Sequence, residues 1–237
     1  MNPTENHRGA QHVLFDADLL SEVSPDFFDP DALAQAGLLH GGAAGRGTTH
    51  FIELDGMACV LRHYRRGGMV AKLLHDRYRW TSLDRTRAWR EWHLLADLRQ
   101  QGLPVPAPVA ARVITAGPFY RADLIMRRLE HTRSLCQALE VAPLAAEQWS
   151  AVGRCIRRFH DAGVYHADLN AHNILLGDDD AVWLIDFDRG EIRSPARDWQ
   201  QANLARLRRS LDKLAGLREP FHFADRDWQQ LMTGWQD

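Results

Sequence analysis

The chain has 237 residues, 45% of them hydrophobic and 25% charged, and its formal net charge is −2. This is the composition of a globular protein with room for one large domain or two small lobes, and it excludes collagen-like and intrinsically disordered chains. The sequence pI of about 6.6, together with the lack of a recognition motif, predicts that nucleic acid is not a partner.

Targeting and redox signals are few. No stretch approaches the roughly 18 apolar residues of a membrane span, and the segment Met1 to Gln11 is polar, so we expect a cytoplasmic protein. Cys59, Cys136 and Cys155 are isolated and odd in number. They predict buried free thiols and not a disulfide framework or a zinc site.

The first two elements of the chain are an acidic segment and a glycine-rich segment. Residues 1–36 hold seven acidic residues against Arg8 alone, and we expect them to form an N-terminal arm or lead-in. Gly41 to Thr49 follows, and its glycines, Gly45 and Gly47 among them, would let backbone amides approach a phosphate without obstruction by side chains. This segment predicts a phosphate-binding loop between two strands, with a flexible hairpin turn as the alternative.

A basic region follows the next predicted strand, Met57 to Leu61. Residues 62–90 hold nine Lys or Arg against two Asp, which predicts either an anion-binding face or a solvated helical surface. A kinase carries its phosphate-binding lysine on this strand, and the best-aligned residue here is Arg62. From Thr81 the pattern becomes helical. It contains Glu91, which in a kinase would pair with the strand cation; a surface glutamate is the alternative.

The segment His166 to Asn173 matches the kinase pattern His-x-Asp-Leu-x-x-x-x-Asn. Moving a phosphoryl group needs a carboxylate that orients or deprotonates the attacking hydroxyl, together with oxygen ligands for the magnesium on the nucleotide phosphates. Asp168 is the predicted catalytic carboxylate, and Asn173 is a predicted metal ligand. We expect His166 to brace the loop without transferring a proton.

The apolar runs Ile174 to Leu176 and Val182 to Ile185 are separated by a turn-like stretch, which predicts a β-hairpin. A hairpin would bring its two ends, Asn173 and Asp186, side by side, as a shared metal requires. Asp186 is therefore the second predicted metal ligand. Apolar residues at helical spacing predict two flanking helices, with stripes formed by Trp149, Val152, Ile156 and Phe159 and by Leu204, Leu207, Leu211 and Leu214.

The chain resembles the protein-kinase-like superfamily, because it carries the superfamily's motifs in the same order. These are the glycine-rich loop, the strand cation, the helical glutamate, the catalytic loop and the metal aspartate. Four strings are similar to a narrower family, the 3-deoxy-D-manno-octulosonic acid (Kdo) kinases: Gly45-Arg46-Gly47-Thr48, Leu61-Arg62-His63-Tyr64-Arg65-Arg66-Gly67-Gly68, His166 to Asn173, and Asp186-Phe187-Asp188-Arg189. The resemblance implies an α+β, two-lobed protein-kinase-like fold. It implies a small β-rich N-lobe with one long helix over residues 37–128 and a reduced, mainly helical C-lobe over residues 129–237.

The resemblance further implies an enzyme that uses ATP and Mg²⁺ to phosphorylate the 4-hydroxyl of Kdo on a lipid A precursor, Kdo-lipid IVA, in lipopolysaccharide core biosynthesis. Its partners would be this Kdo-bearing lipid A precursor and the cytoplasmic face of the inner membrane, bound peripherally. The implied roles are ATP contact by Gly45, Gly47, Arg62 and Glu91, magnesium ligation by Asn173 and Asp186, and catalysis by Asp168.

The basic region also suits the implied acceptor. Arginine side chains can bind the carboxylate of Kdo and the phosphates of lipid A, and Arg65 and Arg66 are the candidate substrate contacts. The aromatic residues Tyr64, Tyr78 and Trp80 are candidate membrane anchors.

Two positions depart from the kinase pattern. Arg62 replaces the strand lysine, and Asp188 replaces the glycine that follows Asp-Phe. Other interpretations stay open: another sugar or small-molecule kinase, such as a core heptose kinase or an antibiotic phosphotransferase, or a catalytically inactive nucleotide- or lipid-binding module. Only 51 residues follow Asp186, and no Ala-Pro-Glu motif is present. We therefore expect no protein substrate.

Overall fold

The chain forms two compact units in the structure, a computed structural model that describes residues 1–43, 49–65 and 76–237. The first unit comprises Met1–Asp97 and Pro106–Arg128, and the second comprises Leu98–Val105 and Leu129–Asp237. Strands dominate the first unit and helices dominate the second, so the predicted α+β class is confirmed.

The first unit is built on an antiparallel sheet. Its strands are β1 (Pro3–Arg8), β2 (Gln11–Asp16), β3 (Leu39–Ala43), β4 (Thr49–Leu54), β5 (Met57–His63), β6 (Tyr78–Arg79), β7 (Pro108–Ala116) and β8 (Phe119–Arg127). Seven of them lie in the order β1-β2-β7-β8-β5-β4-β3, and β6 pairs with β8. Strand β5 is thus paired on both sides, with Arg62 opposite Thr49 of β4 and Leu124 of β8. This pairing fixes the backbone that carries the strand cation.

Residues 1–36, which the sequence predicted to be an arm or lead-in, belong to this sheet unit. Strand β2 pairs with β7, and its apolar run Val13–Phe15 is buried. Helix α1 (Pro30–Gln35) follows, capped at its N-terminus by the side chain of Asp29, and it places Leu33 in the core. The apolar run is too short to show strand periodicity within an acidic segment, so its pairing with the distant β7 left no local signal.

Helix α2 (Arg87–Gln100) carries Glu91 as predicted, but it begins six residues after Thr81. Residues Leu83–Arg85 form a 3₁₀ turn instead, and Oγ1 of Thr86 donates a hydrogen bond to the carbonyl of Leu83 (2.7 Å). A threonine side chain that bonds a nearby backbone group competes with the helical pattern. The turn therefore sets the start of the helix proper.

The second unit is mainly helical. Its helices over residues 129–237 are α3 (Leu135–Val141), α4 (Ala146–Asp161), α5 (Arg197–Ala215) and α6 (Asp225–Gln236). Its short strands are β9 (Arg133–Ser134), β10 (Val164–Tyr165), β11 (Ile174–Leu176), β12 (Val182–Leu184) and β13 (Glu191–Ile192). The two predicted apolar stripes are buried on α4 and α5. In the three described ranges, no helix combines the length and the apolar character needed to cross a bilayer.

Helices α4 and α6 pack backbone against backbone through two glycines. A Cβ atom placed on Gly153 of α4 would collide with the carbonyl oxygen of Leu231 on α6. A Cβ atom on Gly234 of α6 would collide with the carbonyl of Ser150 on α4. Because glycine has no side chain, it lets two helices approach this closely, and neither position tolerates alanine without movement.

All three cysteines are buried and free, as predicted. Burial raises the pKa of the Cys59 thiol to about 11 and that of the Cys155 thiol to about 12, because an apolar environment disfavours the thiolate. Cys59 lies in the first unit, and Cys155 lies in the second.

Candidate active site

His166 connects the catalytic loop to the end of β12. Its Nδ1 accepts a hydrogen bond from the backbone N–H of Asp168 (3.2 Å), and its Nε2 lies 3.0 Å from the carbonyl oxygen of Ile185. Since Nδ1 is an acceptor and the carbonyl needs a donor, the ring is neutral with its proton on Nε2. Burial lowers the pKa of His166, although the bond to Ile185 and the charges of nearby aspartates oppose this. The ring braces the loop, as predicted.

Asn173 and Asp186 stand at the two ends of the β11–β12 hairpin. The predicted hairpin is confirmed by antiparallel pairing of β11 with β12, and the N–H of Ile185 donates to the carbonyl of Asn173 (3.0 Å). Asp186 has a positive φ of 63°, a region that a non-glycine residue occupies at some cost and that is concentrated at functional sites. The hairpin therefore brings the chain segments of both predicted ligands together.

The amide of Asn173 is oriented by the catalytic loop. Its Nδ2 donates a hydrogen bond to the backbone carbonyl of Asp168 (2.9 Å), and the side chain is buried. Because the nitrogen is engaged, Oδ1 is the atom through which Asn173 would bind a cation. An amide oxygen and a carboxylate are the hard ligands that Mg²⁺ prefers.

This pair is not a complete metal site by itself. Within the described ranges, no group of three or more His, Cys, Asp or Glu side chains is placed to hold a metal ion. Mg²⁺ is commonly held by one or two protein ligands, with the remaining positions filled by water and substrate phosphates. Asn173 and Asp186 fit that arrangement, and their role as ligands stays a prediction.

One face of α5 holds the catalytic loop. Oδ1 of Asn203 accepts from the backbone N–H of His166 (3.3 Å), and its Nδ2 donates to the carbonyl of His166 (3.0 Å). One turn later, Nη1 of Arg206 donates to Oδ1 of Asp168 (3.1 Å), and Oγ of Ser210 accepts from the N–H of Ala171 (3.3 Å). Residues three and four apart share a helix face. The helix thus fixes both the backbone and the carboxylate of the loop.

The sequence analysis did not identify Asn203 or Arg206. Asn203 is a polar residue next to Leu204, on a helix face that is otherwise apolar. Asn203 is almost fully buried, and a buried amide must satisfy its hydrogen bonds. An exposed arginine such as Arg206 carries no such signal.

His160 supports Asn203 from α4. Nε1 of Trp235 donates to Nδ1 of His160 (3.0 Å), so the ring is neutral. Burial lowers the pKa of His160 to about 4, and a hydrogen bond with the Asn203 side chain partly opposes the shift. Gln200 donates from Nε2 to the carbonyl of His160 (3.1 Å). The buried His160 of α4 therefore lies beside the Asn203 amide that holds the catalytic loop.

The first unit contains the predicted ion pair between strand and helix. Nη1 of Arg62 donates to Oε1 of Glu91 (3.0 Å), and the hydroxyl of Tyr64 donates to Oε2 (2.6 Å). Glu91 is buried, whereas Arg62 keeps partial exposure. The pairing of these two residues is confirmed, and the carboxylate has a partner at each oxygen.

The structure gives less support to the other predicted contacts with ATP, the acceptor and the membrane. Gly45, Gly47 and Arg66 lie outside the described residues. Arg65 is exposed and lies two residues after the end of β5. The prediction that Tyr64 and Tyr78 anchor the protein in a membrane is wrong, because both rings are buried; Tyr64 bonds Glu91, and Tyr78 accepts from Nη1 of Arg87 (2.6 Å). Of the three predicted anchors, Trp80 alone is partly exposed.

These residues are the parts of a kinase. The first unit holds a strand cation paired with a helical glutamate, and the second holds a loop carboxylate, an asparagine and a hairpin aspartate around one histidine. Comparison with known proteins gives the family. The sequence profile described as "Lipopolysaccharide kinase (Kdo/WaaP) family" matches residues 32–235. The chain therefore belongs to this family, which is protein-kinase-like, and it is a phosphotransferase that acts on a hydroxyl group.

Curated relatives support this membership over most of their length. A protein of Stenotrophomonas maltophilia is 47% identical over 218 residues, covering 92% of this chain and 87% of its own. A protein of Photobacterium profundum is 42% identical, with 95% of each chain covered. One from Xanthomonas campestris pv. campestris is 43% identical, covering all of this chain and 94% of its own. Each is named 3-deoxy-D-manno-octulosonic acid kinase.

Proposed function

We propose that this protein transfers the γ-phosphoryl group of ATP to the 4-hydroxyl of Kdo on Kdo-lipid IVA. The observation that carries the proposal is the arrangement of Asp168, Asn173 and Asp186 around His166, in a chain of the lipopolysaccharide kinase family. The name shared by its relatives, Kdo kinase, supports the acceptor. The arrangement itself supports phosphoryl transfer.

Asp168 is the residue that activates the acceptor. Its carboxylate accepts a hydrogen bond from the 4-hydroxyl of Kdo and takes its proton as the oxygen attacks the γ-phosphorus. The bond from that phosphorus to the bridging oxygen of ADP breaks, and its electron pair stays on ADP. The half-exposed position of Asp168 leaves it accessible to a sugar hydroxyl, and 59% of its side chain is exposed.

The nucleotide phosphates are held by the other site residues. Arg62 binds phosphate oxygens while Glu91 and Tyr64 fix its direction, and Gly45 and Gly47 supply backbone amides. Asn173 and Asp186 would hold Mg²⁺. When bound, this ion neutralises the charge that develops on the phosphate oxygens.

We assign nucleotide binding to an N-lobe over residues 37–128 and catalysis to a C-lobe over residues 129–237. Support for this division comes from the boundary of the two compact units between Arg128 and Leu129. Because the acceptor is a membrane glycolipid, the enzyme would work as a peripheral protein at the cytoplasmic face of the inner membrane. Exposed Arg65 and Arg79, with partly exposed Trp80, are suited to anionic lipid headgroups.

The test is transfer of labelled phosphate from Mg-ATP to Kdo-lipid IVA, with lipid IVA lacking Kdo and a core heptose acceptor in parallel reactions. Label on the Kdo-bearing lipid alone is the expected result. Label on the heptose acceptor would keep the kinase and refute the acceptor. If no acceptor is labelled although ATP binds, the protein is a binding module.

A further inference from the structure

Arg206 places a positive charge beside the proposed catalytic carboxylate. Its Nη1 lies 3.1 Å from Oδ1 of Asp168, and 45% of its side chain is exposed. The backbone of α5 is fixed here, because Asn203 on the same face is hydrogen-bonded to His166 at both its amide atoms. The cation therefore has a defined position where an acceptor hydroxyl must approach.

The ion pair alone gives little reason for this arrangement. Exposed pairs of this kind contribute little to stability because water screens both charges. Of the five N–H donors of the guanidinium, the contact with Asp168 uses one on Nη1. The edge formed by Nε and Nη2 has the geometry that binds a carboxylate through two parallel hydrogen bonds.

An acidic acceptor meets an electrostatic obstacle at this site. Its negative charge must approach the carboxylate of Asp168, and like charges at short range repel each other. A guanidinium in contact with Asp168 would remove much of this repulsion. A neutral sugar has no charge for Asp168 to repel, so it would not need this guanidinium.

We propose that Arg206 binds the carboxylate of the acceptor sugar and thereby selects an acidic acceptor; this rests on the proposed function. In the Kdo ring, the carboxylate is attached to C2 and the acceptor hydroxyl to C4, with one ring carbon between them. A sugar whose 4-hydroxyl bonds Asp168 therefore presents its carboxylate within one side-chain length of the guanidinium. A heptose lacks this group.

The test pairs a change in the protein with a change in the acceptor. Wild type and Arg206→Gln are each assayed with Kdo-lipid IVA and with the same lipid in which the Kdo carboxylate is a primary amide. For wild type, the amide should lower kcat/KM about 10- to 100-fold, as expected for loss of a charge-assisted bidentate contact. Arg206→Gln should lose about as much on the acid, and the amide should then cost it less than about 3-fold.

Two further variants control the measurement. Arg226→Gln makes the same change of charge at a side chain that is 82% exposed on α6, and it should behave as wild type with both acceptors. Arg206→Lys keeps the charge but not the planar fork, so it should retain part of the preference for the acid. If the unfolding temperature of Arg206→Gln differs from that of wild type, Arg206→Lys replaces it in the comparison.

The outcomes separate the inference from the proposed function. If the amide costs Arg206→Gln as much as it costs wild type, Arg206 acts only through Asp168, and carboxylate binding is refuted. If wild type does not phosphorylate Kdo-lipid IVA at all, the proposed function fails and this inference fails with it.

Discussion

Replacing Asn203 with leucine removes the contact that holds His166 to α5 while roughly preserving side-chain volume. The backbone N–H and carbonyl of His166 both lose their amide partner. Each buried polar group left without a partner costs about 1–3 kcal/mol, so the loss of both partners should lower the free energy of unfolding by about 2–6 kcal/mol. This is a large part of the roughly 5–15 kcal/mol typical of a folded domain.

The same substitution should also slow catalysis. His166 bonds the N–H of Asp168, so a shift of its backbone displaces the catalytic carboxylate. A misplacement of about 1 Å can cost about 100-fold in rate. We therefore expect kcat to fall about 10- to 100-fold with little change in the KM for ATP. Urea unfolding measures the first effect, and steady-state transfer to Kdo-lipid IVA measures the second.

Gln200→Leu is the matched control. Gln200 is a buried amide one turn earlier on α5, but its Nε2 donates to the carbonyl of His160 on α4, and among the described residues it makes no hydrogen bond to the catalytic loop. Its loss should cost about 1–2 kcal/mol of stability and leave kcat near wild type. The reasoning about Asn203 is refuted if both variants lower kcat equally, or if Asn203→Leu leaves kcat unchanged.

Four other predictions follow from the same geometry. Asp168→Asn should lower kcat at least about 1000-fold with nearly unchanged ATP affinity, because it removes the base but no nucleotide contact; near-normal turnover would contradict the assignment. Asp186→Ala should abolish magnesium-dependent ATP binding in calorimetry, and unchanged binding would exclude it as a ligand. Gly153→Ala should lower the unfolding temperature, because its Cβ meets the backbone of Leu231; Gly216→Ala, whose Cβ would make only ordinary van der Waals contacts, serves as the control. Folding lowers the pKa of His160 from 6.5 to about 4. As the pH falls from 6.5 towards 4, His160 therefore takes up a proton in the unfolded chain before it does in the folded one, and the free energy of unfolding should decrease by up to about 3 kcal/mol. His160→Gln should flatten that pH dependence, and an unchanged slope would contradict the cause.

The parts of the site that follow local patterns could be predicted from the sequence. Two apolar runs separated by a turn predicted the hairpin between Asn173 and Asp186, and the order of the kinase motifs predicted the pairing of Arg62 with Glu91. Both were found where expected. Such features depend on residues near each other in the chain or on a motif of fixed order.

The parts that depend on long-range packing could not be predicted. Asn203 and Arg206 reach the catalytic loop across 37 and 38 residues, and no periodicity encodes which loop a helix face will meet. Tyr64 was misjudged for the same reason, because an aromatic residue in a basic segment does not reveal that its hydroxyl bonds a buried carboxylate. The strand pairing of residues 1–36 is a further contact of this kind.

The buried cysteines give each unit its own reporter of local opening. With pKa values of about 11 and 12, Cys59 and Cys155 are almost entirely protonated at neutral pH, and alkylating reagents attack the thiolate. Modification therefore requires the surrounding structure to open. The ratio of labelling at the two positions, read by mass spectrometry, would tell which unit opens first under heat or denaturant, without any engineered probe.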